Sequence, residues 1–176
     1  MDHSHVGLQS VIKSLSDVVA PAVDSQDSLA KEQLRLCIDY ISFIQERLEF
    51  LGERALFELS HSLEMAKSIN ALLKPATPQN HSSLTDAISS AESHLPKSTY
   101  SIKEMNNETA RLGTEISKVL GLSQDFEPSL RTEIEKTVLH LSKDRAQFER
   151  SWYVPLGLDP DAKNVTPLHD LIRNRN

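Results

Sequence analysis

The longest stretch without a helix-breaking residue runs from Leu29 to Lys74 and contains no proline and a single glycine, Gly52. Apolar residues recur along it at intervals of three and four, which is the period of one face of an α-helix. No segment of the chain shows the alternation of apolar and polar residues that indicates a β-strand. The sequence therefore predicts an all-α helical bundle with up-down connectivity, one long central helix at about residues 28–74 and an irregular C-terminal tail.

The predicted long helix is too long for a compact domain. At 1.5 Å per residue it would span roughly 69 Å, whereas a compact domain of this size has a diameter of about 40 Å. Two outcomes reconcile these lengths. Either the helix bends or breaks near Gly52, or its exposed length is covered by another chain.

Local signals place the ends of several helices. Ser28 is a suitable N-cap for the long helix, and Pro128 is suited to the first turn of a later one. Ser101 and Glu104 have the spacing of a capping box. We therefore expect shorter helices on both sides of the long one, including a first helix from about residue 4 to residue 20.

The C-terminal segment is apolar but interrupted. Pro155 and Gly157 prevent a regular helix, yet the residues around them are too apolar for a free end. We predict that Trp152 and Leu156 pack back on the bundle, and that a short helical turn follows near Leu168. The predicted division is a helical bundle of residues 1–151 and a packed tail of residues 152–176.

The composition argues against several classes of function. The chain has 19 Lys and Arg residues and 25 Asp and Glu residues, so its net charge is −6, and it contains no basic block. We expect binding neither to nucleic acid nor to a membrane, since no stretch has the length and apolarity of a membrane span. Cys37 is the only cysteine, which excludes a disulfide framework and favours the reducing cytoplasm. The N-terminus lacks the features of a signal peptide, which supports the same expectation.

The long helix carries a second apolar stripe, on the side opposite Ile41 and Leu48. A helix that is apolar on both sides is either central to its own bundle, paired with a second subunit or the wall of a small-molecule pocket. Because the flanking helices are short, we favour a homodimer. The predicted binding or dimer-interface residues, most of them seven apart, are Leu36, Tyr40, Phe43, Phe50, Phe57 and His61.

A different reading is a helical-bundle enzyme with a metal or phosphate-bearing ligand near Arg54, Glu58 and His61. Glu58 and His61 have the spacing of the Glu-x-x-His motif of carboxylate-bridged di-iron bundles, but no second copy exists. Arg54 and His61 resemble the Arg and His pair of the helical HEPN ribonucleases, although Ala55 replaces the polar residue that follows the Arg in that family. The sequence shows no catalytic set, and we predict no metal site and no cofactor.

The segment Pro21 to Leu34, which runs Pro-Ala-Val-Asp-Ser-Gln-Asp-Ser-Leu-Ala-Lys-Glu-Gln-Leu, resembles the opening of a family of small bacterial helical proteins. That family has no assigned activity, so the resemblance implies a soluble accessory role in metabolism and transfers no functional residue. Taken with the second stripe, this predicts a non-enzymatic interaction or binding module that forms a homodimer. An unidentified protein is a further candidate partner.

Overall fold

The computed structural model describes residues 3–76, 81–95 and 101–173. Within these ranges every regular element is helical and none is a strand, which confirms the all-α prediction. No helix among them is long and apolar enough to cross a membrane. The α-helices are α1 (Ser4–Ser14), α2 (Ala20–Ala22), α3 (Ser28–Arg47), α4 (Leu51–Ala76), α5 (Ser82–His94), α6 (Ile102–Gly121), α7 (Pro128–Tyr153) and α8 (Leu168–Arg173).

The region of the predicted long helix is helical throughout, but a short 3₁₀ turn interrupts its α-helical geometry once. Helices α3 and α4 are joined by a 3₁₀ turn at Leu48–Phe50, just before Gly52. Gly52 itself lies within α4, and an added Cβ there would meet nothing within 4 Å. The change of helix type therefore precedes Gly52, the residue near which a bend or break was one of the two expected outcomes. A 3₁₀ turn inside a long helical segment is a frequent mark of a hinge.

We predicted a first helix from about residue 4 to residue 20, but the helical segment there is not a regular α-helix throughout. After α1, residues Leu15–Val19 form a π-helical turn, and α2 follows with Pro21 inside its first turn. Proline has no N–H to donate to the carbonyl of Asp17, and its ring clashes with that carbonyl. The turn before Pro21 consequently widens, which is the arrangement a π-bulge provides.

Two of the predicted signals at helix starts are confirmed, and the predicted N-cap of α3 is wrong by one residue. The Ser101 hydroxyl accepts from the Glu104 amide at 3.2 Å, and the Glu104 carboxylate accepts from the Ser101 amide at 2.9 Å, which completes the capping box. Helix α7 begins at Pro128 as expected. At α3, however, the N-cap is Asp27, whose carboxylate accepts from the Ala30 amide at 2.9 Å, and not the adjacent serine.

The described chain forms two compact units. The terminal unit combines the two ends of the chain, Met1–Phe50 and Arg150–Asn176, and the central unit is Leu51–Glu149. The boundaries of these units differ from those of the predicted bundle, residues 1–151, and the predicted tail, residues 152–176. That division of the chain stays a prediction.

The central unit has a dense hydrophobic core. It is built on α4, which packs on α5 and α6, and Leu59 and Ile69 of α4 are fully buried. Leu112 of α6 and Ile134 of α7 are also fully buried in the same cluster. Sixteen of the nineteen buried hydrophobic residues of the described chain belong to this unit.

The terminal unit has a much smaller core. Helix α1 packs on α3, but no residue of α1 is buried. The Gln45 amide ties the two helices together by donating to the His5 carbonyl and to the Gln9 side chain, each at 3.0 Å. The buried hydrophobic residues of this unit are Phe43, Trp152 and Leu168.

The C-terminal segment is partly buried within the terminal unit. Trp152 is buried, Leu156 is half-buried, and Leu168 at the start of α8 is buried. Helix α7 runs two residues beyond Ser151, to Tyr153, before a 3₁₀ turn and Gly157 end it. The residues of the segment that contact α3 all lie within the terminal unit.

Candidate functional site: an apolar groove beside α3

A groove of about 730 Å³ lies in the terminal unit, between α3 and the segment that follows α7. Its floor is the N-terminal half of α3, where Leu36 and Tyr40 are 46% and 54% exposed. Its opposite wall is formed by Leu156, Gly157 and Leu158, and Leu158 is 81% exposed. Large apolar side chains in water are unfavourable, so a groove of this kind is suited to binding another apolar surface.

The conformation of the opposite wall is fixed by backbone and charge. A 3₁₀ turn at Val154–Leu156 is ended by Gly157, whose φ of 71° lies in the left-handed region that favours glycine. Two residues later, the Asp159 carboxylate accepts two hydrogen bonds from the Arg150 guanidinium, at 2.8 and 3.0 Å. This bidentate pair closes the segment into a loop and holds the wall beside α3.

The Asp159 carboxylate is stabilised in its charged form. The side-chain hydrogen bond from Arg150 and the hydrogen bond from the Asp161 amide lower the pKa of Asp159 from 3.8 to about 2. The same pair raises the pKa of Arg150. Both groups are therefore charged throughout the physiological range, and the loop stays closed.

The C-terminal half of α3 is already covered by side chains of this chain. Phe43 is buried, with its ring edge-on to Trp152 at a centroid distance of 6.5 Å. Its ring is also stacked on Tyr153, with the centroids 5.7 Å apart. On the same face of α3, Tyr40 lies one turn earlier and Leu36 two turns earlier, and both remain exposed. The groove therefore begins where the aromatic cover from α7 ends.

Arg47 anchors this cover. Its guanidinium donates to the carbonyl oxygens of Trp152 at 2.9 Å and Ser151 at 3.4 Å, which are among the carbonyls that the end of α7 leaves unpaired. It also lies 5.8 Å from the Phe43 ring centroid and 5.7 Å from that of Trp152, within the range of cation–π contacts. Burial lowers the pKa of Arg47 from its ordinary value.

The charged residues beside the groove are paired along α3. Arg35 contacts Glu32 and Asp39, each at 2.7 Å. The hydrogen bond from Arg35 lowers the pKa of Glu32, which keeps this carboxylate charged. The edge of the groove therefore carries a compensated row of charges and not a patch of one sign.

The predicted interface residues of α3 and of the turn that follows it lie in different environments. Leu36 and Tyr40 lie at the groove, and Phe43 lies beneath Trp152 and Tyr153. Phe50 is half-buried in the 3₁₀ turn between α3 and α4. Of these four residues, only Leu36 and Tyr40 line the exposed groove.

The other two predicted interface residues, Phe57 and His61, are buried in the central unit. The Phe57 ring is stacked on Phe148 of α7, with the centroids 3.9 Å apart and the planes at 12°. The His61 ring lies against Phe57, and its Nε2 donates to the Leu141 carbonyl oxygen at 2.9 Å. These two residues hold α4 and α7 together.

In the alternative site, Arg54 and Glu58 are paired with each other, and His61 is buried against Phe57. Arg54 contacts Glu58 at 2.8 Å and Glu149 at 3.1 Å, so its guanidinium faces carboxylates and not an open phosphate pocket. Across the described residues, no group of three His, Cys, Asp or Glu side chains could hold a metal ion. A cavity of about 400 Å³ does adjoin Arg54 and Glu58, and the enzyme hypothesis stays a prediction.

Among the residues of the groove that sequence reasoning missed are Cys37 and Leu158. Cys37 is exposed and lines the groove between Leu36 and Tyr40. Leu158 forms part of the opposite wall, which depends on the conformation of Gly157 and on the Arg150–Asp159 pair. The apolar character of the tail indicated that it packs somewhere, but its position beside α3 is a tertiary contact that no local signal gives.

Comparisons of this chain with protein-family models, with curated proteins and with solved structures find no match. The fold therefore defines only an all-α class of protein. The resemblance of residues 21–34 to a family of small bacterial helical proteins stays a prediction.

Proposed function

We propose that this protein is a non-enzymatic interaction module that forms a homodimer through the groove beside α3. In this proposal the N-terminal half of α3 in one copy packs on the same surface of the second copy. A two-fold pairing of this kind uses one self-complementary patch on each subunit, which is the commonest arrangement of homodimers.

The observation that carries the proposal is the uneven distribution of apolar residues. The terminal unit contains three of the nineteen buried hydrophobic residues of the described chain, but ten of its fifteen exposed large hydrophobic residues. A unit with so few buried apolar side chains gains little stability from its own core. Covering its exposed residues with a second copy supplies the missing burial.

The sequence of α3 supports a helix as the occupant. Leu29, Leu36 and Phe43 are each seven residues apart, and Tyr40 lies four residues after Leu36. This is the spacing of a helix-pairing seam. The C-terminal part of the seam is covered by Trp152, while Leu29 at its start is 69% exposed. In the proposed dimer, α3 of the second copy packs along this seam with the same apolar side chains.

The charge pattern is compatible with two identical surfaces. Unpaired carboxylates facing each other across a dimer would repel. On α3, Arg35 contacts both Glu32 and Asp39, so the flank that two copies would share is compensated within each helix. The proposal therefore requires no basic partner.

The proposal also includes a cytoplasmic location and an accessory role in metabolism. The single cysteine, Cys37, is exposed and therefore suited to a reducing compartment. The resemblance of residues 21–34 supports the accessory role. An additional protein partner remains compatible with the same groove, and such a partner would compete with dimer formation.

Multi-angle light scattering at micromolar concentration tests the proposal. The wild-type chain is expected to have twice the 19.7 kDa mass of one chain. Leu36→Glu is expected to return the mass to that of a monomer, because the charge would be buried without a partner in the dimer.

Leu139→Glu is the matched control. Leu139 is also a helical leucine and is 67% exposed, but it lies in α7 of the central unit. This variant is expected to stay dimeric. A monomeric wild-type protein, or equal dissociation by both variants, would contradict the proposal.

A further inference from the structure

A cavity of about 400 Å³ in the central unit has both apolar and polar walls. It lies between the start of α4 and the N-terminal half of α6, and its volume is within the range of small-molecule sites. The apolar part of its lining includes Leu51 of α4 and Ile102 of α6, both of which are exposed. Contact with the apolar part of a ligand would remove these side chains from water.

The charged side chains at this cavity carry more negative than positive charge. The Arg54 guanidinium donates to Glu58 Oε1 at 2.8 Å and to the two carboxylate oxygens of Glu149 at 3.1 and 3.4 Å. All three side chains are largely buried. One guanidinium thus lies between two carboxylates, and one negative charge has no counter-charge within this group. Because charges interact more strongly away from bulk water, this arrangement favours a cation over an anion as ligand.

Glu58 and Thr109 offer hydrogen-bond acceptors at the cavity. Glu58 uses Oε1 in its contact with Arg54, and no described residue donates to its other oxygen, Oε2. The Thr109 hydroxyl donates to the Met105 carbonyl at 2.9 Å, so it can still accept a hydrogen bond but has no further proton to donate. The Asn106 carboxamide in the lining supplies another acceptor oxygen. This lining matches a ligand that donates several hydrogen bonds.

The charges at the start of α6 do not oppose a cation. The N-terminal end of a helix carries a partial positive charge. At α6, hydrogen bonds from the Ser101 amide and hydroxyl lower the pKa of Glu104, so this carboxylate is charged and compensates the helix end. Lys103 is not among the residues that line the cavity. A ligand there meets the Glu58 carboxylate and a guanidinium already paired with two carboxylates.

We propose that the cavity between α4 and α6 is a binding site for a small primary amine that carries a short apolar body and binds in its ammonium form. The ammonium group donates to Glu58 Oε2, the Thr109 hydroxyl and the Asn106 carboxamide oxygen, which matches its three N–H donors. The apolar body packs on Leu51 and Ile102. The site lies within the central unit and does not depend on the dimer proposed above.

NMR titration of the ¹⁵N-labelled full chain tests the charge of the ligand. The probes are hexylammonium chloride and sodium hexanoate, which share an apolar body and differ in the charge of the head group. At about pH 7 and constant ionic strength, we expect hexylammonium to cause saturable shifts of the Ala55, Glu58 and Ala110 amides, with a dissociation constant in the millimolar range. Hexanoate is expected to bind about tenfold more weakly or not at all.

A third probe tests whether the ligand must donate hydrogen bonds. Hexyltrimethylammonium chloride has the same apolar body and the same charge as hexylammonium, but it has no N–H donor. We expect it to bind severalfold more weakly, because Glu58, Thr109 and Asn106 receive no hydrogen bond from it.

Two variants with matched controls locate the site. Glu58→Gln keeps an acceptor for Arg54 but removes the charge, and we expect it to weaken hexylammonium binding by about tenfold. Glu64→Gln is its control, because Glu64 is an exposed residue of α4 that does not line the cavity. Ile102→Ser is expected to weaken binding severalfold through lost apolar contact, and Leu139→Ser, at an exposed leucine of α7, is its control.

The inference is overturned by any of three results. These are the absence of saturable shifts with hexylammonium, binding of hexanoate or hexyltrimethylammonium as tight as that of hexylammonium, and equal weakening by a variant and its control. Melting temperatures confirm that the variants fold. Because Ile102 is exposed, its variant remains informative if Glu58→Gln does not fold.

Discussion

At the scale of single residues, Arg47 shows how a charged side chain becomes part of a core. Only 9% of Arg47 is exposed, and its guanidinium lies between two aromatic rings while it donates to the last turn of α7. These contacts compensate for the cost of burying the charge. They also fix the end of α7, from which the aromatic cover of Phe43 extends.

Arg47→Ala is expected to lower the free energy of unfolding by about 2 kcal/mol and the melting temperature by about 4–8 °C, because two carbonyls lose a charged donor. Thermal unfolding followed by circular dichroism measures this change. Glu46→Gln is the control, since its contact with Arg47 is 3.8 Å long and its side chain is 58% exposed. An unchanged melting temperature for Arg47→Ala would show that these contacts do not stabilise the fold.

Two buried serines give a second prediction at this scale. The Ser151 hydroxyl is buried without a hydrogen-bond partner, whereas the Ser123 hydroxyl donates to the Leu120 carbonyl at 2.7 Å. Ser151→Ala is expected to raise the free energy of unfolding by up to about 1 kcal/mol, and Ser123→Ala to lower it by about 1 kcal/mol. Chemical denaturation of the pair checks the opposite signs. A loss of stability in Ser151→Ala equal to that in Ser123→Ala would contradict this account.

Sequence reasoning succeeded for residues whose roles depend on close neighbours. The Ser101–Glu104 capping box and the helix start at Pro128 are both local, and both are present. Asp27 and Ser28 are both good capping residues, so which of the two caps α3 depends on the backbone conformation. The pairing of Arg47 with α7 was not predictable, since the two segments are about a hundred residues apart in the chain.

At the scale of elements, the ion pair of Arg150 and Asp159 holds the loop after α7. Asp159 has a pKa of about 2 in the folded protein against an ordinary value of 3.8. Because the folded value is the lower one, the pair contributes stability that is fully present above the ordinary pKa. That contribution is lost as the pH falls towards 2.

Asp159→Asn is therefore expected to destabilise the loop at neutral pH and to differ less from the wild type in acid. Urea denaturation of both proteins at about pH 6 and about pH 2.5 measures this, and the difference should shrink at the lower pH. Asp161→Asn is a suitable control, because Asp161 lies 4.0 Å from Arg150 and is 57% exposed. A difference that is independent of pH would show that the ion pair does not hold the wall of the groove.

The second apolar stripe illustrates the limit of prediction for an element. Leu36, Phe43, Phe50 and Phe57 are spaced by seven residues and were interpreted as one apolar line. Spacing alone could not reveal that Phe43 and Phe57 find aromatic partners at the end of α7, while Leu36 finds none. Contacts with residues far away in the sequence therefore determine which part of this apolar line is buried and which part forms the candidate interface.

At the scale of the whole molecule, the two units differ in how they satisfy their apolar residues. The central unit encloses its core, with Leu59 and Leu112 fully buried. The terminal unit leaves Leu36, Tyr40 and Leu158 in water. The all-α class followed from helical periodicity, but the pairing of the two chain ends in one unit depended on tertiary contacts. The dimer proposed above would add to the small core of the terminal unit.

The most direct test of this account is the reactivity of Cys37. It is the only cysteine, it is exposed, and it lines the groove, so its rate of reaction with a chromogenic disulfide reagent reports whether the groove is covered. The account predicts that this rate falls severalfold as the protein concentration rises through the range of dimer formation, and that it stays high in Leu36→Glu. A rate that is independent of concentration, together with a monomeric mass, would contradict it.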